Sequence, residues 1–558
     1  MLDHQDHTRL VETFARETPR LLAREPLTAE FAARVEALTL RKDEPFTLAV
    51  VGQMRAGKST LLNALVGKDL ALTGVNETTA TVNWFKHGTG AQCASFRAHW
   101  REKPPEDFPL ADIATWAGQS DRATETRYLE FFDDAEFLRE IFIVDTPGTR
   151  SVLTAHEAAT QEFLAEKCER ETKLRGGAAD AILYVLPPVA YGADEELLSA
   201  FKSTTRLPNS SPYNSVAVIH KWETLEGADP LAEAQRKAAR SAERLREYVS
   251  TVLPVSGPLA IAVARQSPAW WDKAAAILRA SAEVGIERLL ARGEKAFTER
   301  EFADAPSVAE RLALHEESLL PWPCLRALLR QAAVRGTDTA AALRDLAREM
   351  AGTDALLTLL RERFFTRAKL IKSFSLFSRA LDPCSVALGR LRARGDELRC
   401  LRASAAAARA CLGEPVRVSL APADVFIRDA LVSLEAESER LTALERGLAA
   451  QVRSVRETYD ELNADAECLR LLDEGRARLS AAERAEARRL LGVHGPTLAD
   501  RCDALDADRA TWLAERLEHW QTRAESAFGD ERRVAERLAQ QLNDLLDHLE
   551  NSTASAAA

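Results

Sequence analysis

The sequence predicts an α/β domain, a mostly parallel sheet with helices on both faces, joined to an elongated all-α helical bundle. Three observations carry that expectation. Short apolar runs alternate with helical stretches from residue 46 to about residue 290, the pattern of strands returning through helices into one sheet. Strand signals stop from about residue 291 onward. From Val425 to Leu472, Ile427, Leu434, Leu441, Leu448, Val455, Leu462 and Leu469 recur every seven positions, and Val452, Tyr459 and Ala466 fill a second row. A period near 3.5 describes a long helix lying lengthwise on other helices.

Taken in chain order, residues 8–38 read as helix with Leu10, Phe14, Leu21, Phe31, Val35 and Leu38 as buried positions, and RKDEPF ends it. The runs FTLAVV (46–51), YLEFF (128–132), EIFIVD (140–145), AILYVL (181–186), SVAVIH (215–220) and STVLPV (250–255) read as strands. In such a sheet a ligand sits at the carboxyl ends of the strands. The heptad helix would be roughly 70 Å long at 1.5 Å per residue. A second long helix is expected from about 498 to 548, through Leu505, Trp512, Leu517, Trp520, Phe528, Leu538 and Leu545, and NSTASAAA is expected to be a disordered tail. The expected domains are therefore 1–42, an N-terminal helix packing with the stalk; 43–290, the α/β domain; 291–550, the helical stalk; and 551–558, the tail.

Composition narrows the function classes. The 558 residues are 46% hydrophobic and 28% charged, with a formal net charge of −11. That balance opposes a sequence-independent grip on nucleic acid, which needs a basic surface, and leaves membrane attraction to a local patch. Eight cysteines stand singly without a CxxC pair, as expected of reduced thiols in a cytoplasmic protein. The N-terminus MLDHQDHTRLVETFARE is too charged for a signal peptide. No apolar run approaches the length of about 18 residues that a bilayer requires. His4 and His7 have no further ligands nearby and read as solvated.

The stretch VVGQMRAGKSTLLNAL carries the chemistry. Gly52, Gln53, Met54, Arg55, Ala56, Gly57, Lys58 and Ser59 match G-x-x-x-x-G-K-[ST] between an apolar strand and a helix, and with Thr60 they are the expected nucleotide-binding residues of this loop. The glycines let backbone N–H groups turn around phosphate oxygens. Lys58 would reach the β- and γ-phosphates and Ser59 would hold Mg²⁺, while the new helix aims its positive end at the anion. A second metal-side group follows in IFIVDTPG, where Asp145 would act on the magnesium shell through water and the Gly148 amide would contact the γ-phosphate. No acidic residue follows Asp145, which leans to GTP over ATP. In LTGVNETTATVNWFKHG, Thr78, Thr79 and Thr81 are candidates for a threonine that closes over γ-phosphate and magnesium. Base recognition is expected at the end of SVAVIH. A guanine reader usually shows Asn or Thr, then Lys, any residue and Asp; here stand His220, Lys221, Trp222 and Glu223. Lys221 would stack on the base, Glu223 would accept the guanine N1 and N2 protons from a stem one methylene longer than Asp, and Ser256 would lie beside the base.

The segments VVGQMRAGKSTLLNALVG, ETTATVNWFKHG, YLEFF…LREIFIVDTPG, ADAILYVLPPVAYGADEELLSAF and VAVIHKWE resemble the bacterial dynamin-like GTPases. The insertion containing HWREKPPEDFPLADIATWAG is similar too, whereas the flanking helices match only in architecture. The resemblance implies GTP and Mg²⁺ as cofactors, GTP hydrolysis, face-to-face pairing of G domains or pairing with a second dynamin-like protein, and helices acting as levers. Aligned on the family's switch threonine, the chain places Thr79 beside Ser59 and Asp145 as a magnesium group. Arg55, three residues before Lys58, stands where the guanylate-binding and atlastin types carry an internal arginine finger, a device worth about 10³–10⁵ in rate in other GTPases. The other reading of Arg55 is a solvated loop residue.

One segment is a candidate membrane contact. RERFFTRAKLIKSFSLFSR, residues 361–379, sets six Arg or Lys against Glu362 and interleaves Phe364, Phe365, Leu370, Ile371, Phe374, Leu376 and Phe377. It reads either as an amphipathic helix on an anionic membrane or, favoured by the acidic chain, as a core helix. The expected function is a large GTPase that remodels or tethers membranes from the cytoplasmic side, peripheral at the inner face of the cell membrane. The alternative is a regulatory GTPase acting on a protein partner without deforming lipid. An exposed apolar stalk tip would favour the first.

Overall fold

The structure is a computed structural model describing residues 4–24, 26–39, 45–52, 56–68, 82–117, 122, 125–145, 180–188, 215–225, 227, 229–282, 285–364, 368–412, 414–495, 497–503 and 508–557. Its chain forms two compact units, one of residues 45–366 with 463–542 and the other of residues 1–44, 367–462 and 543–558.

The first unit is built on β1 (Phe46–Gly52), β2 (Asn83–His87), β3 (Ser95–Trp100), β4 (Glu106–Pro109), β5 (Thr126–Asp133), β6 (Ile141–Asp145), β7 (Ala181–Leu186), β8 (Ser215–His220) and β9 (Val252–Val255). Among the described residues these make one nine-stranded sheet ordered β4-β3-β5-β2-β6-β1-β7-β8-β9. From β6 to β9 every pairing is parallel. β1, β7 and β8 are buried along their whole length, which is why they read as unbroken apolar runs. All six expected strands are present. β2, β3 and β4 were not anticipated; β2 is antiparallel to β6, and β3 is antiparallel to both β4 and β5. Their sequences, NWFKH, SFRAHW and EDFP, mix charges with aromatics and lack the apolar runs of the parallel strands.

Four expectations are corrected. The break expected after residue 290 falls inside this unit. Helices Trp322–Arg335 and Ala340–Ala351 bury Cys324, Leu325, Leu328, Leu343 and Met350 in the same core as Ile182, Tyr184 and Ile219 of the sheet. Helical periodicity reveals an apolar face but not the surface it packs on. The helix expected over 8–38 is two helices, His4–Leu22 and Ala29–Thr39, and in the connection the Thr28 hydroxyl donates to the Leu22 carbonyl at 2.7 Å. The helix expected over 498–548 is divided into Leu498–Arg501, Arg509–Ser526 and Gly529–Ala557. Ala527 is extended there at φ −91° and ψ 163°, and Gly529 takes φ 59°, which breaks the helical path. Finally, NSTASAAA is helical as far as Ala557 rather than a disordered tail; alanine is the best helix former, and extending an existing helix avoids the cost of nucleation.

In the second unit the N-terminal helices share a core with helix Ala368–Leu412 and the first part of helix Glu414–Asp473. Phe14, Phe31 and Val35 pack with Leu388, Leu391 and the heptad residues Leu434, Leu441 and Leu448. Of the two readings of segment 361–379, the favoured one, a core helix, agrees with the side chains that are described. Phe377 meets the Phe14 ring edge-on at 5.4 Å, and Ile371 and Leu376 are buried. In the sheet unit Phe364 stacks on Phe46 at 6.0 Å. Burial of these four residues makes them core. The side chains of Phe365, Leu370 and Phe374 lie outside the described residues.

Candidate nucleotide site

β1 lies between β6 and β7, with Val50 opposite Asp145 and Gly52 opposite Val185. A Cβ on Gly52 would stand 2.6 Å from the Val185 carbonyl oxygen, so the strand ends where only glycine fits. The loop then delivers helix Lys58–Val66 from Gly57, whose φ of 97° and ψ of 23° are left-handed, a conformation glycine takes without a Cβ penalty. Lys58 is buried, and its Nζ donates back to the Gly52 carbonyl at 3.2 Å. Burial lowers its pKa while Asp145 opposes the shift.

The Ser59 hydroxyl donates to Asp145 Oδ2 at 3.4 Å. Asp145 ends β6 fully buried, and its Oδ1 has no hydrogen-bond partner among the described residues. Burial pushes its carboxyl up to about 6, against the pull of Lys58 and Ser59. A buried carboxylate oxygen left unpaired is costly. Facing a serine hydroxyl, it fits a hard divalent cation that takes oxygen ligands, as Mg²⁺ does. Gln53, Met54, Arg55, Thr79 and Gly148 lie outside the described residues, as do Thr78 and Thr81.

At the other end of the site, β8 stops at His220 and the chain turns through Lys221, a non-glycine residue at φ 61°. Left-handed backbone costs such a residue roughly 1–2 kcal/mol. The Lys221 carbonyl steadies the turn by accepting the Thr224 hydroxyl at 2.7 Å and the Thr224 N–H at 3.1 Å. Trp222 and Glu223 are buried. The Glu223 carboxyl lies beside the side chains of Cys324 and Ser256, and burial raises its pKa. The same burial, with the Glu223 charge, drives the Cys324 thiol well up. Ser256 caps helix Gly257–Arg265, its Oγ accepting the Leu259 N–H at 3.5 Å, and its own N–H donates to the Ala351 carbonyl at 2.9 Å. Thr60, on the helix after the phosphate loop, lies against this cap, for a Cβ on Gly257 would come 2.9 Å from its methyl carbon.

Residues 48–188 match the Dynamin family. That stretch, which runs from within β1 to just past β7, is similar to the dynamin family. The chain is 38% identical over 125 residues to the isoniazid-induced protein IniC of Mycobacterium tuberculosis, covering 21% of this chain and 24% of that protein. It is 26% identical over 237 residues to the probable transmembrane GTPase FZO-like, chloroplastic, of Arabidopsis thaliana, covering 42% of this chain and 22% of that one. The chain thus spans about a quarter of the length of these curated relatives. Among solved structures, a chain of an oligomerised bacterial dynamin pair aligns with 98% of this chain and 74% of its own at 13% identity, with a TM-score of 0.29.

Gly52, Ala56, Gly57, Lys58, Ser59 and Asp145 are brought together at the ends of β1 and β6. Glu223 and Ser256 also meet, but in a buried cluster completed by Cys324, a residue outside every motif. His220 was noticed in the sequence only as a departure from the guanine-reader pattern. It stands at the carboxyl end of β8, two positions from β1 in the sheet.

Proposed function

We propose that the protein binds GTP with Mg²⁺ and hydrolyses it, that its dynamin-family domains pair across the bound phosphates or pair with a second dynamin-like protein, and that its helices couple this cycle to tethering or remodelling of a membrane from the cytoplasmic side. The observation that carries the reading is the convergence of Lys58, Ser59 and the half-unpaired Asp145 at the mouth of a glycine-framed loop. Backbone N–H groups of the loop and the start of helix Lys58–Val66 would hold the phosphates. Lys58 would exchange its bond to the Gly52 carbonyl for the β- and γ-phosphates. Ser59, Thr79 and Asp145 would hold the cation, Asp145 through water. A cation held there would supply positive charge to offset the charge that develops on the transferred phosphoryl group. Gly148 would donate its amide to the γ-phosphate, and Arg55 would turn inward when two domains meet. Lys221 and Ser256 would border the base, and Glu223 would reach it only on leaving Ser256 and Cys324.

A membrane target is favoured by the exposed apolar residues Leu401 (52%), Val425 (46%), Phe426 (73%) and Val432 (62%). Arg409 pairs with Asp424 and Arg399 with Glu435, so the helices carrying these residues run antiparallel. The apolar side chains therefore gather towards one end of that helix pair. Among the described residues no helix is long and apolar enough to cross a membrane, so the contact would be peripheral.

The test is GTP and ATP turnover as a function of protein concentration, with and without anionic vesicles, beside Lys58→Ala and Arg55→Ala. GTP turnover per molecule should rise with concentration and again with vesicles, and Arg55→Ala should flatten the concentration dependence. Turnover flat in both variables would move the assignment to a regulatory GTPase acting on a protein partner.

A further inference from the structure

His220 has no part in the roles above, yet it occupies the space between the two halves of the site. Its side chain is fully buried. Its Nε2 takes the Gly257 N–H at 3.2 Å. A backbone amide can only donate, so Nε2 is the bare nitrogen and the ring proton of the neutral imidazole is on Nδ1. That second nitrogen faces the phosphate loop: a Cβ on Gly57 would fall 2.3 Å from Nδ1 and 2.6 Å from Cε1. On the opposite side a Cβ on Gly257 would fall 2.8 Å from Nε2. The ring is wedged between two glycines, one opening helix Lys58–Val66 and one opening helix Gly257–Arg265 directly after Ser256.

We propose that His220 is a positioning residue, held as the neutral Nδ1–H tautomer, that ties the phosphate loop to the Ser256–Gly257 segment so that a purine base on one side sets the loop for the triphosphate on the other. On one edge the ring accepts the Gly257 amide, and on the other its Nδ1–H meets the Ala56 backbone short of full hydrogen-bond geometry while the ring abuts Gly57. A hydrocarbon of equal bulk would keep the wedge but leave the Gly257 amide unpaired. The inference rests on the nucleotide-binding reading and deepens it, for it makes the loop's competence depend on the base end.

The full-length protein tests it in two ways. Substitution His220→Leu, which keeps bulk without polarity, should raise the GTP KM roughly ten-fold or more, the cost of orphaning a buried amide, with kcat little changed. His220→Asn, which offers both a donor and an acceptor, should recover most of that loss. A KM unmoved by His220→Leu, or kcat falling with KM constant, overturns the proposal. Independently, ¹⁵N ring shifts of histidine-labelled wild-type protein, with the His220 signals identified by their loss in His220→Asn, should show Nδ1 protonated and Nε2 bare. The reverse tautomer overturns the proposal even if the leucine variant does not fold. If the wild type binds neither GTP nor ATP, the nucleotide reading fails, and the ring shifts still decide the state of His220.

Discussion

The phosphate end and the base end of the site are held in different ways. At the phosphate end main-chain geometry does most of it: Gly52 against the Val185 carbonyl, Gly57 in a left-handed conformation, Lys58 folded back on the Gly52 carbonyl. At the base end buried side chains do it: the His220 ring, Trp222, and Glu223 beside Ser256 and Cys324. Main-chain geometry accepts only a few residue types at a few positions, so a loop built this way keeps a recognisable sequence. A packed cluster can be filled by many combinations, provided that each polar atom finds a partner. That contrast accounts for a standard GxxxxGKS loop facing an unusual HKWE segment in one chain.

The largest expected effect lies at the phosphate end. Lys58→Ala removes a buried cation placed beside Asp145, and GTP turnover should fall by roughly 10²–10³-fold, the range seen when one preorganised charge-stabilising donor is lost. Steady-state assays with binding measured in parallel check it. A smaller loss than from any base-end substitution would reverse the comparison.

Legibility followed the same division. The strands AILYVL and SVAVIH were found residue for residue, because strands buried on both faces must be continuously apolar. Lys58, Ser59 and Asp145 could be read as a group because the motif and the end of β6 are local signals. The partnership of Glu223 with Cys324 could not, since 101 positions separate them (324 − 223) and only the packing of helix Trp322–Arg335 brings them together. The strands β2 to β4 escaped for a related reason. Lys86 pairs with Glu130 at 2.5 Å, and His99 pairs with the same carboxylate at 3.1 Å while stacking on Tyr128 at 4.0 Å. A strand held by cross-strand charge and aromatic pairs shows no apolar alternation until its partners are known.

An intermediate effect should appear in stability against pH. Burial, then the Lys221 charge, depresses the His220 pKa to about 4 from 6.5, with a contact to the Ala56 backbone, short of full hydrogen-bond geometry, pulling the other way. Between these values the unfolded chain binds the proton and the folded chain does not, so this contribution to stability is complete above 6.5 and is lost as pH falls through the window towards 4. A difference of about 2.5 units corresponds to about 3 kcal/mol. Urea unfolding of wild type and His220→Asn from pH 4 to 7 should show a shallower slope for the variant. Parallel curves would remove His220 as a buried neutral base.

The smallest effect is expected at Glu223. Its carboxyl is buried beside Ser256 and Cys324 rather than free to meet a base. Glu223→Gln keeps the shape and removes the charge. Because burial raises the Glu223 pKa, the folded state pays for ionisation at neutral pH. The variant should therefore be slightly more stable there, and its advantage should vanish as pH falls and the wild-type carboxyl takes up its proton. The ratio of GTP to ATP affinity should move by less than about three-fold, well under the 10⁴–10⁵ by which a site built around a substrate hydrogen bond rejects an analogue lacking it. Titrating both nucleotides into wild type and Glu223→Gln measures it. A collapse of guanine preference would show that the carboxylate leaves its cluster when nucleotide binds, and that the base end rearranges while the phosphate end stays preformed.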